Sequence, residues 1–421
     1  MAPEHREAAN AFAAGDELRL DITAMAHGGE GIGHAPDGRV VFVRGAVPGD
    51  TVTARATKVK RRWARAELVE VLEASPVRAP VSCPAAAAGA GCCDYSHIDS
   101  GAQLGFKRDV LVGQLGALAR RSGVLGGFDP AADLQLRALT PHIGWRTRVR
   151  LGVDAHGRAG VRHARSADVV ASEHCTQPVP GLLDGLVGEA RFTPGSEVIA
   201  VLDSGGTRHV VETARVQRGR RAETITTVIE GSGDVTERIV GPEGAHEFAF
   251  PATAFWQAHV QAPQVYSDVI SEWGAGNYTR GVAWDLYGGV GAFVPAIHSA
   301  TGGARVVSVD YSPAANAAEQ PGLAGWGVEM VEGRVEGSVD KLEAPGLVVL
   351  DPPRAGAGEA VVRAVAAANP ERVIHVGCDP ATLARDLGAW GGEGFRVRRM
   401  LLIDAFPATH HFETIVELAR K

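Results

Sequence analysis

The rhythm of hydrophobic and polar positions changes twice along the chain. Over residues 15–75 the two alternate, and turn formers interrupt them at Gly28-Gly29, Gly31, Pro36-Asp37-Gly38 and Pro48-Gly49-Asp50. A period of two between closely spaced turns predicts short strands closing into a small β-barrel. Residues 76–245 combine one helical stretch, Ala102 to Arg121, with strand-like segments, and predict an inserted α+β domain that binds substrate. Residues 246–421 alternate apolar strands with helices, which predicts a doubly wound, Rossmann-like parallel sheet. The fold class is therefore α/β with two smaller units ahead of it. No internal repeat is present, and the Ala/Gly-rich stretch from Pro84 to Gly91 predicts a loop.

Chemistry concentrates where strands of the last region end. The strand Val373 to Val376 runs into Gly377-Cys378-Asp379-Pro380, a turn that opens a helix. A thiol beside helix amides is expected to be more acidic than usual and nucleophilic. Trp284-Asp285-Leu286-Tyr287-Gly288-Gly289-Val290-Gly291 is a strand entering a glycine-rich turn, where backbone can approach a ligand closely. The next strand, Arg305 to Val309, ends in Asp310, nineteen residues past Gly291. A carboxylate at that spacing suits ribose hydroxyls. A third strand ends in Asp351-Pro352-Pro353-Arg354. Ligands of such sheets bind at the carboxyl ends of strands, so the three ends are expected to face one crevice.

These segments resemble the RNA uracil-5-methyltransferases that use S-adenosylmethionine. The likeness is carried by Asp285-Leu-Tyr-Gly-Gly-Val-Gly, by Asp351-Pro-Pro-Arg, by the run from Gly377 to Asp386, by His411-Phe412-Glu413-Thr414 and by Phe255-Trp256-Gln257. The resemblance implies that Cys378 is a nucleophile adding to carbon 6 of uracil. It also implies that Glu413 is the base removing the carbon 5 proton, and that Gln257, Tyr287, Asp310 and Asp351 contact the methyl donor. The family more often has Glu where Asp310 stands. Gly28-Gly29-Glu30-Gly31 and Ala46-Val47-Pro48-Gly49-Asp50 resemble the TRAM domain, an RNA-binding barrel that often begins these chains.

The family commonly holds a [4Fe–4S] cluster through Cys-x5-Cys-x2-Cys and a distant fourth cysteine. Here Cys83 and Cys92 are separated by eight residues, Cys92 and Cys93 are adjacent, and Cys175 matches the fourth position. Four cysteines is the number such a cluster needs. The resemblance thus implies two cofactors, S-adenosylmethionine and an iron–sulfur cluster.

The net charge of −7 argues mildly against a nucleic-acid partner, but the placement of charge argues for one. Arg55, Lys58, Lys60, Arg61, Arg62 and Arg65 crowd around Trp63 without an acid. Arg146, Arg148 and Arg150 alternate, and Arg215, Arg218, Arg220 and Arg221 form a third group. Basic patches with an aromatic suit phosphate contact and base stacking. The expected partner is a structured tRNA or rRNA, met by a monomer in the cytoplasm. No apolar run reaches membrane-spanning length, and the first fifteen residues lack a secretory h-region. Two other functions fit parts of the pattern. Asp-Pro-Pro also occurs in amino-group methyltransferases, which usually follow it with an aromatic and need no cysteine. A non-catalytic RNA-binding protein or chaperone would need neither Cys378 nor Glu413.

Overall fold

A computed structural model describes residues 12–119, 123–188, 191–218, 221–312 and 320–420. Arg121 and Arg220 lie outside the described residues. β1 (Glu17–Met25), β2 (Glu30–His34), β3 (Val40–Arg44), β4 (Thr51–Val59) and β5 (Trp63–Glu73) form a closed barrel in the order β1-β2-β3-β5-β4. Their alternate residues Leu20, Ile22, Val41, Val43, Val52, Ala54, Ala64 and Ala66 fill its interior. Small and β-branched side chains suit the tight taper of a five-stranded barrel.

The main sheet has eight strands. β6 (Gln135–Ala138), β15 (Val282–Leu286), β16 (Arg305–Asp310), β17 (Glu329–Glu332), β18 (Leu347–Leu350), β19 (Arg372–Gly377), β20 (Phe395–Asp404) and β21 (Glu413–Arg420) run in the order β17-β16-β15-β18-β19-β21-β20-β6. β15 to β19 are mutually parallel, and β21 is antiparallel to both of its neighbours. β18 is buried throughout, which explains its unbroken apolar run Leu-Val-Val-Leu. Between the barrel and this sheet lie a six-stranded antiparallel sheet, β7 (Arg148–Val153) to β12 (Arg221–Glu230), and the hairpin of β13 (Asp234–Gly241) and β14 (Gly244–Pro251).

One part of the middle of the chain belongs to the main sheet in space. β6 pairs in parallel with β20, and α1 (Ser100–Ala119) contributes Val110, Leu111 and Leu115 to the core that covers this sheet's face. α1 is pinned there by Lys107, whose side chain is wholly buried. Its ammonium donates to Asp404 Oδ1 at 2.6 Å and to the Phe406 carbonyl at 3.1 Å. Burial pulls the lysine pKa down while Asp404 opposes the shift. Lys107→Met leaves Asp404 buried without a counter-charge and is expected to cost about 3–5 kcal/mol. Urea unfolding measures that cost, and the double variant Lys107→Met, Asp404→Leu should regain most of it. A single variant within about 0.5 kcal/mol of the parent contradicts this account.

Candidate active site

Strand register assembles the site. Tyr287, Asp310, Asp351 and Cys378 each stand at or just past the carboxyl end of a strand: β15, β16, β18 and β19. Leu286 pairs with Leu350, so Tyr287 and Asp351 leave the sheet side by side. Gly377 pairs with Thr414 in the antiparallel β19–β21 ladder, which sets Cys378 next to Glu413 although 34 positions separate them.

Gln257, Tyr287, Gly288, Gly289 and Asp351 line one small pocket, together with Phe255. Phe255 is 77% exposed, unusual for a phenylalanine, and it stands at this pocket's edge. Tyr287 takes a left-handed backbone (φ 62°), strain that persists only where surroundings impose it. Gly288 has no alternative: a Cβ there would stand 2.2 Å from Ser308 Oγ and 2.3 Å from Asp285 Oδ2. The Gly289 amide donates to Asp310 Oδ2 at 2.9 Å and the Ser312 amide to Oδ1 at 2.6 Å, fixing the carboxylate under the turn. An exposed backbone turn, a glutamine, two carboxylates and an aromatic wall fit the nucleoside and amino-acid ends of the methyl donor.

Asp351 also faces the second half of the site. Burial lifts its pKa to about 7, and its charge helps to raise both the Cys378 thiol and the Glu413 carboxyl. Glu413 is 5% exposed, and its Oε2 has no hydrogen-bond partner. Burial pushes its pKa well above the usual range, with Asp351 adding and Arg354 opposing. Cys378 is raised to about 12, first by burial, then by Glu413 and Asp351, again against Arg354.

The expected acidic thiol is therefore corrected: in the free protein Cys378 holds its proton. The helix α5 (Pro380–Gly392; α2 is Ala262–Gly274, α3 Val294–Ala300 and α4 Gly358–Ala367) does begin beside it. Its first amides, Ala381 and Thr382, donate to Asp379 Oδ1 at 3.0 and 2.9 Å. The N-cap carboxylate takes the field that the thiol was expected to feel.

Several positioning contacts carried no local signal. Asp386 is wholly buried and accepts from the Ala357 amide at 2.7 Å, while Arg385 donates to the Ala355 carbonyl at 2.6 Å, so α5 holds the loop bearing Arg354. Asp94 accepts from the His410 amide at 2.9 Å and bonds its ring, and the Tyr95 amide donates to the Ala408 carbonyl at 2.9 Å. Both grip the segment that leads into Glu413. From the barrel's β1–β2 turn, His27 Nε2 lies 2.7 Å from Asp379 Oδ2, tying the barrel to the residue after Cys378.

The remaining four cysteines gather elsewhere. The sulfurs of Cys83, Cys93 and Cys175 all lie within 4.8 Å of one another. Cys92 Sγ stands 3.9 Å from Cys93 Sγ and lies outside that group of three. Of the four thiols expected to converge, Cys83, Cys93 and Cys175 do so despite the altered spacing, and Cys92 lies at the edge of that trio.

Residues 12–69 match the TRAM domain profile, and residues 335–421 match that of the tRNA (Uracil-5-)-methyltransferase family. An RNA methyltransferase of Corynebacterium glutamicum is 49% identical over 412 residues, covering 96% of this chain and 97% of the relative. The 23S rRNA (uracil(1939)-C(5))-methyltransferase RlmD of Methylococcus capsulatus is 31% identical over 447 residues, covering 96% of this chain and 97% of the relative. The chain belongs to the S-adenosylmethionine-dependent RNA uracil-5-methyltransferases. Its fold is shared by the Pyrococcus abyssi tRNA (uracil-54, C5)-methyltransferase in complex with S-adenosyl-L-homocysteine, with a TM-score of 0.69 at 20% identity over 96% of this chain and 99% of that one.

An RNA methyltransferase must receive a polyanion, and its basic residues divide by environment. Arg61 and Arg62 are exposed at the β4–β5 turn beside Trp63, whose ring lies 5.9 Å from Lys58 Nζ and 5.8 Å from Arg65 Cζ. Arg55 is paired with Glu17 at 2.8 Å. Arg148 is not part of a surface patch: it is buried, donates to the Ala252 and Ala254 carbonyls, and faces Glu237. Arg146 donates to the Arg148 carbonyl and to Gln177. A groove of about 640 Å³ runs between barrel and six-stranded sheet, lined by Arg44, Arg150, Arg162, Arg165 and His410 among others. It reaches His410, in the segment that leads into Glu413. Among the described residues no helix is long and apolar enough to cross a membrane.

Proposed function

We propose that this enzyme methylates carbon 5 of a particular uridine in a structured RNA, transfer or ribosomal, through a covalent adduct between Cys378 and carbon 6. The observation that carries the proposal is the β19–β21 register, which sets a thiol beside a buried, unpartnered carboxyl, both of them near the Asp351 that lines the donor pocket. In this scheme Gln257, Tyr287, Asp310 and Asp351 hold S-adenosylmethionine, which supplies an electrophilic methyl group on a sulfonium. Cys378 loses its proton to solvent, its sulfur bonds to carbon 6, and the electrons of the 5,6 double bond move to oxygen 4. The enolate returns them through carbon 5, which would gain the methyl group as the donor's sulfur–methyl bond breaks and S-adenosylhomocysteine leaves as the neutral thioether. Glu413 then takes the carbon 5 proton, the double bond re-forms, and the carbon–sulfur bond breaks to return the thiolate. No electron leaves or enters, so the cysteine nest has no part in the chemistry. Product analysis tests the proposal: 5-methyluridine should be lost at one position in cellular RNA when the protein is removed. A methylated amino group on adenine instead, or unchanged RNA, contradicts it.

The electrostatics give a pH profile. Cys378 must lose its proton to add, and Glu413 must be ionised to accept one, so kcat/KM should climb as pH rises from neutral. Arg354 lowers both groups. Arg354→Gln should therefore raise both pKa values and move the profile to higher pH, with the largest loss of rate on the acid side. A scaled-down profile with unmoved inflections would leave Arg354 outside this cluster.

Arg61 and Arg62 serve RNA affinity in the same proposal. Arg61→Gln with Arg62→Gln should weaken binding and reduce the slope of log affinity against log salt by about one to two units. The rate at saturating RNA should stay near that of the parent. An unaltered slope places the RNA on another face.

A further inference from the structure

We propose that Cys83, Cys92, Cys93 and Cys175 bind a single tetrahedral divalent ion of the zinc type, in place of the four-iron cluster implied by the resemblance. The distances separate the two. Bonds of about 2.3 Å to one tetrahedral ion put thiolates about 3.8 Å apart. Cys83, Cys93 and Cys175 all lie within 4.8 Å of one another, and Cys92, 3.9 Å from Cys93, stands at the edge of that trio. A four-iron cube gives each thiolate its own iron and splays the four outward from its corners, so its sulfurs need more room than this nest has. Adjacency points the same way, since consecutive residues can span one edge of a small tetrahedron more readily than two corners of a cube.

The surroundings are built for a compact anionic centre. Cys83 and Cys93 are buried, and the backbone around them is tightly determined. The Gly91 amide donates to the Arg162 carbonyl at 3.1 Å, and a Cβ on Gly91 would stand 2.7 Å from Ala164 Cα. Gln177 donates to the Cys92 carbonyl at 3.0 Å and accepts from Arg146, whose half-buried guanidinium interacts with Cys175, Cys92 and Cys93. Four thiolates on a divalent ion carry two negative charges, and Arg146 offsets part of that. The centre's role is structural. Asp94 and Tyr95 follow directly on Cys93, and they grip His410 and Ala408 ahead of Glu413.

Metal content of the full-length protein tests this independently of methyl transfer. Protein made with iron and zinc both supplied, and purified without oxygen, should be colourless, with about one zinc per chain and no acid-labile sulfide. Reduced, metal-free protein should take up about one cobalt(II) and show the intense visible bands of a tetrahedral thiolate site. Mercurial titration of the wild type should release the metal, a readout that does not depend on a variant's folding. Cys175→Ser should lower the bound zinc and weaken the cobalt bands. About four irons with sulfide, a Cys92–Cys93 disulfide, or reduced protein that takes up neither zinc nor cobalt would each overturn the proposal.

Discussion

Cys378→Ala is expected to lower methyl transfer by a factor on the order of 10⁴ or more, the scale reached when a covalent nucleophile is removed. Uracil carbon 5 becomes a carbon nucleophile only while carbon 6 carries a substituent, so no weaker route substitutes for the adduct. Binding should survive, because Cys378 sits beyond the pocket lined by Gln257, Tyr287, Gly289 and Asp351. S-adenosylmethionine affinity within about twofold of the parent, with product formation near background, is the expected pair of results. Loss of both would point to a folding defect, and near-normal turnover would remove Cys378 from the chemistry.

Glu413→Gln should separate methyl transfer from release. The side chain keeps its size and its buried place, but it can no longer take a proton. General-base removal is typically worth about 10²–10⁴-fold, so overall turnover should fall by that factor. Addition and methyl transfer precede the lost step, and a protein–RNA adduct stable to denaturant should therefore build up on unmodified RNA. Gel mobility under denaturing conditions reads it directly. A variant that is slow yet accumulates no adduct places Glu413 before methyl transfer.

The strand ends were legible in the sequence because their signal is local: an apolar run, then glycine or Asp-Pro, in one short window. Tyr287, Asp351 and Cys378 stand at such ends, and Gln257 lines the same pocket. The thiol's acidity was not legible, because it depends on which acceptor wins the first amides of α5. Asp379 wins them, and buried Glu413 and Asp351 push the thiol the other way. Strand pairing at long range was hidden too. β6 meets β20 across more than 250 residues, and nothing within Gln135–Ala138 names that partner. Of the alternating Arg146, Arg148 and Arg150, the last two lie on β7 and Arg146 precedes it, and the alternation did not show that Arg148 points into the protein towards Glu237. The cysteine spacing departs from the family pattern, yet folding closes much of the distance: the Pro84–Gly91 segment and its left-handed Gly89 return Cys93 to Cys83. Spacing along a chain reports separation in space only when the intervening backbone is regular.

The most direct measurement is the site of covalent attachment to RNA bearing 5-fluorouridine at the target. Fluorine at carbon 5 cannot be removed by Glu413, so the methylated adduct should be trapped in the presence of S-adenosylmethionine. Nuclease and trypsin digestion followed by mass spectrometry should find the methylated fluorouridine nucleotide on the peptide spanning residues 373–385, attached at Cys378. An adduct on another residue, or none at all with RNA whose unfluorinated form is methylated normally, contradicts the mechanism.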